Sequence, residues 1–184
     1  MSKILALDIS TSCTGYTVFN NKNEVEEINY IDLSKHKGLY EKASQIKSRI
    51  LDIFSRYDDI NSIVVEENLQ AFRPGLSSAK TLMTLAQFNG VVRWICFDTL
   101  NIEPISINVN SARKLVGLKI DKKSNQTTKD QVLEWVQKEE EEISWPTKTV
   151  SRGRHKGQVK FVPFCYDMAD SYIIGKAFLI ENKL

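Results

Sequence analysis

The chain has 184 residues, of which 42% are hydrophobic, and carries a formal charge of +2. That suits one domain with a real core and argues against global disorder, and the near-neutral balance does not by itself announce a nucleic-acid binder. No apolar run approaches the roughly 18 residues of a membrane span, and no signal-peptide pattern precedes the first apolar run. Cys13, Cys96 and Cys165 are scattered without a CxxC, which reads as reduced thiols in a cytoplasmic protein, not a disulfide framework or zinc site.

Residues 3–8 read as a buried strand, 15–19 as a second after a Ser/Thr-rich turn, and 24–31 as a third, together an antiparallel meander. Leu39, Ala43, Ile46, Ile50, Ile53, Phe54 and Tyr57 recur at three and four, which predicts an amphipathic helix over 39–57. Residues 63–66 return to strand, and Pro74-Gly75 marks a loop. A long, well-buried helix is expected over 77–99, a strand over 102–107, and a short helix capped by Asn110 or Ser111 and ending near Gly117. A lysine-bearing loop over 119–126 leads to a helix from Thr127 or Thr128 to about 137. The acidic run Glu139 to Glu142 reads as a solvated helix end. Residues 144–162 form a basic insertion with the look of a hairpin, and 166–180 close the chain as a helix. The expectation is a single α/β domain over 1–184 with three opening antiparallel strands, two further strands, flanking helices and a basic insertion at about 144–163.

Four acidic residues stand out. Asp8 ends the apolar run Ile4-Leu5-Ala6-Leu7, Glu66 ends Ile63-Val64-Val65, and Asp167 and Asp170 lie three apart on one face of the last helix. A carboxylate at the end of a buried strand must be paired or coordinate a metal. Oxygen-only ligation suits Mg²⁺ or Mn²⁺. Two such ions, about 3.5–4 Å apart, are a common clamp for in-line attack of water on a phosphodiester. Glu67 reads as a surface or helper residue. Taken singly, each acid has a bland reading as turn residue, helix cap or solvated face; their conjunction in this order is the specific signal.

The pattern Ile-Leu-Ala-Leu-Asp-Ile-Ser-(x)₄-Gly-Tyr-Thr-Val, then Val-Val-Glu-Glu, then Asp-x-x-Asp-Ser resembles the RuvC-type Holliday-junction resolvases. The likeness runs over nearly the whole chain. It includes Asn110-Ser111-Ala112-Arg113-Lys114-Leu115-Val116-Gly117 and the helix start Thr128-Lys129-Asp130-Gln131-Val132. The resemblance implies an RNase H-like fold, with Asp8, Glu66, Asp167 and Asp170 as catalytic ligands of two Mg²⁺ ions, Mn²⁺ substituting. It further implies symmetric nicking of four-way DNA junctions by a homodimer, in DNA recombination and repair, beside other recombination proteins. Two departures stand out: Asp8-Ile9-Ser10 replaces the family's Asp-Pro-Gly, and roughly 15–20 residues are inserted before Asp167.

The basic residues cluster as phosphate contacts do. Lys119, Lys122, Lys123 and Lys129 surround one loop; Arg152, Arg154 and Lys156 mark the insertion, with Lys148 and Lys160 beside them and acids sparse from 143 to 166. Phe72 is a candidate for stacking on an unpaired base, and Arg73, Lys80 and Arg113 for phosphate contacts. Lys129 is also placed to stabilise charge in the transition state, or is an ordinary solvated lysine. His155 lies in too flexible a setting for a proton shuttle. Excess apolar surface on helix 77–99 points either to a dimer interface or to burial under the sheet. Three other readings compete. A sugar-kinase or actin-like ATPase needs a second lobe and phosphate loop, which 184 residues do not supply. A noncatalytic junction-binding module does not need the complete acidic quartet. Another RNase H-like nuclease, on branched DNA or RNA–DNA hybrids, shares the metal site and differs only in loops and dimer geometry. The Lys, Asn and Ile richness leaves a bacterial or a viral host open.

Overall fold

In a computed structural model, which describes residues 2–57, 59–67, 78–154 and 156–182, a mixed five-stranded sheet carries helices on both faces. Strands β1 (Lys3–Ile9), β2 (Cys13–Phe19) and β3 (Val25–Asp32) form the expected antiparallel meander. Strand β4 (Ile60–Glu66) lies parallel to β1 on its other side, and the short β5 (Ile105–Ile107) lies parallel to β4, giving the order β3-β2-β1-β4-β5. Beyond Lys3, every residue of β1 is buried, because both faces of this central strand are covered. A near-continuous apolar run is the pattern that such a position demands.

Helices α1 (Leu39–Arg56) and α2 (Ala79–Leu100) cover one face. Their Ile46, Ile50, Ile53, Phe88, Val92 and Ile95 pack with Leu5, Leu7, Ile63 and Val65. Helices α3 (Val109–Leu115), α4 (Thr128–Glu139) and α5 (Phe164–Glu181) cover the other, where Ile4 and Val64 meet Val132, Leu133, Tyr172 and Ile173. Strand alternation therefore assigns Ile4, Ala6 and Asp8 to the α5 face and Leu5, Leu7 and Ile9 to the α1/α2 face. The two apolar clusters are the two sides of one sheet. Helix α5 is the central element of the second side. Thr17 and Ser171 hydroxyls meet at 2.8 Å across it, and Gly175 lets it close on Phe19 and Ala6.

Several boundaries differ from the expectation. Strand β5 loses 102–104, since Pro104 has no N–H for a ladder and its carbonyl accepts from the Arg93 guanidinium at 2.8 Å. The cap of α3 is Asn108, whose side chain accepts from the N–H groups of Asn110 and Ser111, the two residues expected to cap it. Helix α2 is less buried than expected: its first two turns are largely exposed and its buried residues are Phe88, Asn89, Val92, Ile95 and Cys96. The acidic run is only partly a solvated end, because Glu140 accepts a hydrogen bond from Tyr172 at 2.9 Å. The insertion forms the expected hairpin, β6 (Thr147–Thr149) against β7 (Val159–Phe161). Among the described residues, no helix is long and apolar enough to cross a membrane.

Candidate active site

Asp8 and Glu66 end adjacent parallel strands. The register pairs Leu7 with Val65, so the next residue on each strand is an acid, and both acids lie on the α5 face. This is the carboxyl end of the parallel strands, where open α/β sheets hold ligands. Asp167 lies in the first turn of α5 and Asp170 one turn on, buried. A glycine brings that helix to the sheet. Gly15 pairs with Asp8 across β1 and β2, and a Cβ on it would lie 2.1 Å from the Asp167 carbonyl oxygen. Only a residue without a side chain lets the backbone of α5 settle beside Asp8.

The electrostatics join the four carboxyls. Burial raises the Asp8 pKa well above the carboxylate range, and the charges of Glu66, Asp170 and Asp167 raise it further. Burial also raises Glu66, with Asp170 adding and the Asp8 hydrogen bond, Arg113 and Lys129 opposing. Asp167 is pushed up to about 6 by burial, against the pull of Lys129 and of hydrogen bonds from Cys13 and Asp8. Asp8 is thus the member that keeps a proton and donates it to its neighbours. Such a buried group of mutually repelling oxygen donors is what a hard divalent cation neutralises, so the residues fit Mg²⁺ or Mn²⁺. Among the described residues, no three His, Cys, Asp or Glu side chains are drawn together as a ready ligand cluster. Two of the acids also have local partners: Arg113 donates from Nη2 to Asp170 at 2.8 Å, and Cys13 bonds to Asp167.

The other candidates divide by location. Lys129, at the start of α4, acts electrostatically on Glu66 and Asp167, with its Nζ 5.8 Å from the centre of the Tyr166 ring. Arg113, expected to contact DNA, forms an ion pair with Asp170, where α3 packs directly against α5. Lys119, Lys122 and Lys123 are exposed on the loop after α3, and Arg152, Arg154 and Lys156 are exposed at the hairpin turn. Lys80 is exposed in the first turn of α2. Phe72, Arg73 and His155 lie outside the described residues. Glu67 is a helper of the strand end, its N–H bonded to the Ile107 carbonyl and its carboxylate accepting from Asn108 at 3.1 Å. Sequence reasoning missed Cys13 and the close approach at Gly15. By sequence Gly15 reads only as part of the small, polar stretch after Asp8 that lets the backbone approach a ligand, not as the seat of α5.

Comparison with known proteins agrees with this architecture. Thermus thermophilus RuvC in complex with a Holliday junction substrate superposes with a TM-score of 0.66 at 14% identity, covering 100% of this chain and 96% of that one. A second Thermus thermophilus RuvC structure gives 0.62 at 14% identity, covering 98% and 95%. The yeast mitochondrial Holliday junction resolvase Ydc2 gives 0.54 at 14% identity, covering 97% and 78%. These likenesses establish the expected RNase H-like fold. No curated protein matches the chain by sequence. One family model, described as Lactococcus phage M3 protein, matches residues 1–141, from β1 through α4 and short of the hairpin and of Asp167 and Asp170. The chain belongs to the family of the Lactococcus phage M3 protein.

Proposed function

We propose that the protein is a divalent-metal-dependent endonuclease that resolves four-way DNA junctions by paired, symmetric nicks, acting as a homodimer. The observation that carries this reading is the Asp8 carboxyl, buried beside Glu66, Asp167 and Asp170 at the carboxyl end of the parallel strands. The fold is that of Thermus thermophilus RuvC, solved in complex with a Holliday junction substrate, and of the yeast mitochondrial Holliday junction resolvase Ydc2. Asp8, Glu66, Asp167 and Asp170 would hold the ions. When bound there, a pair of Mg²⁺ ions would supply an activated water and charge stabilisation at the leaving oxygen. Asp8 and Glu66 present their carboxyls from the sheet, and α5 brings the other two. Lys129 reaches toward the same carboxyls from the start of α4, where it would meet the scissile phosphate.

The hairpin gives an independent reason to expect a polyanion. Lys148 and Lys160 are directly opposite one another across β6 and β7, with both side chains exposed. Like charges facing across a strand pair are destabilising unless a counter-ion lies against them. With Arg152, Arg154 and Lys156 at the turn, they form a basic arm suited to phosphate backbone. Cleavage of a synthetic four-way junction with Mg²⁺, beside linear duplex and RNA–DNA hybrid, tests the reading. Paired nicks in the junction alone are expected, lost on chelation and lost in Asp8→Asn, which should still bind the junction. Strong hybrid cleavage without junction cleavage would replace the junction by the hybrid as substrate, and an active Asp8→Asn protein would remove the metal role.

A further inference from the structure

Arg113 and Asp170 form an ion pair at 2.8 Å, with 18% and 11% of their side-chain surface exposed. The guanidinium also acts on Glu66, so it faces two of the four carboxyls. Its bonding is incomplete: Nη2 donates to Asp170, while Nε is buried without a partner among the described residues. A guanidinium has five donors in a rigid fork, and settled buried pairs with carboxylate are commonly bidentate. This contact is single-pointed, and it places the guanidinium charge on Oδ1 of Asp170. We infer that Arg113 is an internal counter-ion of the carboxylate cluster: it holds Asp170 in the metal-free protein, yields it when a divalent cation binds, and so sets the metal affinity of the site. The inference rests on the nuclease reading above for the presence of a metal. It makes Arg113 a positioning residue that acts through Asp170. The competing account is a clip between α3 and α5 with no effect on the site.

Competition between like charges fixes the direction. Removing one positive charge a few ångströms from a divalent ion strengthens binding by roughly tenfold even when strongly screened. The test is Mn²⁺ binding to the metal-free full chain, followed by calorimetry, for the wild type, Arg113→Gln and Arg113→Lys. Arg113→Gln should bind roughly tenfold more tightly. Arg113→Lys, which keeps the charge, should stay near the wild type. In the wild type itself, Mg²⁺ should move the Arg113 Nε–H resonance as the guanidinium leaves Asp170, a readout that does not depend on a variant's folding. Normal Mn²⁺ binding by the wild type with equal or weaker binding by Arg113→Gln, or an Nε–H resonance unmoved at saturating Mg²⁺, overturns the counter-ion role and leaves the nuclease reading standing. Absence of Mn²⁺ binding in all three proteins overturns both.

Discussion

Asp8 is 7% exposed and faces three other carboxyls, so its charge is tolerated only with a cation beside it. The linkage to stability has a definite sign. Asp8, Glu66 and Asp167 bind protons more tightly folded than unfolded, since each pKa is raised. Their contribution is complete below the unfolded pKa. It is lost as pH rises through the folded values, about 6 for Asp167. Carboxylates such as Asp130, held below the usual range by hydrogen bonds from Tyr166 and Thr127, work in the opposite direction. The site's share is therefore isolated by difference. In chelator at pH 7, Asp8→Asn should be more stable than the wild type by on the order of 2 kcal/mol, because it removes the buried acid. That corresponds to a Tm higher by roughly 4–8 °C in a chain of this length. The gap should shrink toward pH 4, where the wild-type carboxyls are protonated, and shrink again at pH 7 with Mg²⁺, which stabilises only the wild type. Thermal unfolding of both proteins at pH 4 and 7 checks this; an Asp8→Asn protein less stable at pH 7 in chelator contradicts it.

At the scale of elements, the site depends on how closely α5 meets the sheet beside Gly15. Gly15→Ala would place a methyl 2.1 Å from the Asp167 carbonyl, a backbone atom that no rotamer change can move. We expect a loss of roughly 3 kcal/mol by overpacking, with weaker Mn²⁺ binding as the first turn of α5 is pushed off. Unchanged unfolding temperature and metal affinity would show that α5 is not seated there. The strands that carry Asp8 and Glu66 were legible because a central strand buried on both faces must be apolar throughout, and an acid ending such a run is conspicuous. Helix α5 was legible for the same reason, its Asp167 and Asp170 being polar interruptions of an apolar stretch. Arg113 was not, because its partner is 57 residues away and only the packing of α3 on α5 joins them. The shortening of β5 was signalled by Pro104 but outweighed by the surrounding isoleucines. Helix α2 was misjudged because an apolar composition does not say which face a neighbour covers.

At the scale of the whole molecule, that uncovered face of α2 is the strongest argument for the proposed homodimer. Met83, Trp94 and Phe97 are 64%, 59% and 51% exposed, a large apolar presence for an outer helix. With Gln87 and Gly90 they follow one stripe at alternating spacings of four and three, the seam of two packed helices. Gly90 is the informative member. It lies mid-helix, where glycine is destabilising by roughly 0.5–1 kcal/mol relative to alanine, and a Cβ there would meet nothing within 4 Å among the described residues. The fold of a single copy does not require it, whereas a second α2 crossing closely at that point would. A two-fold symmetric junction favours such an isologous contact, since each copy then presents one site to each of two opposed strands. Gly90→Leu separates folding from association, because leucine is the better helix former and yet fills the crossing point. We expect this variant to keep its Asp8 site and metal affinity, to sediment as a monomer where the wild type is a dimer, and to cut junctions by single, uncoordinated nicks. A Gly90→Leu protein that remains dimeric and nicks in pairs would move the interface off α2.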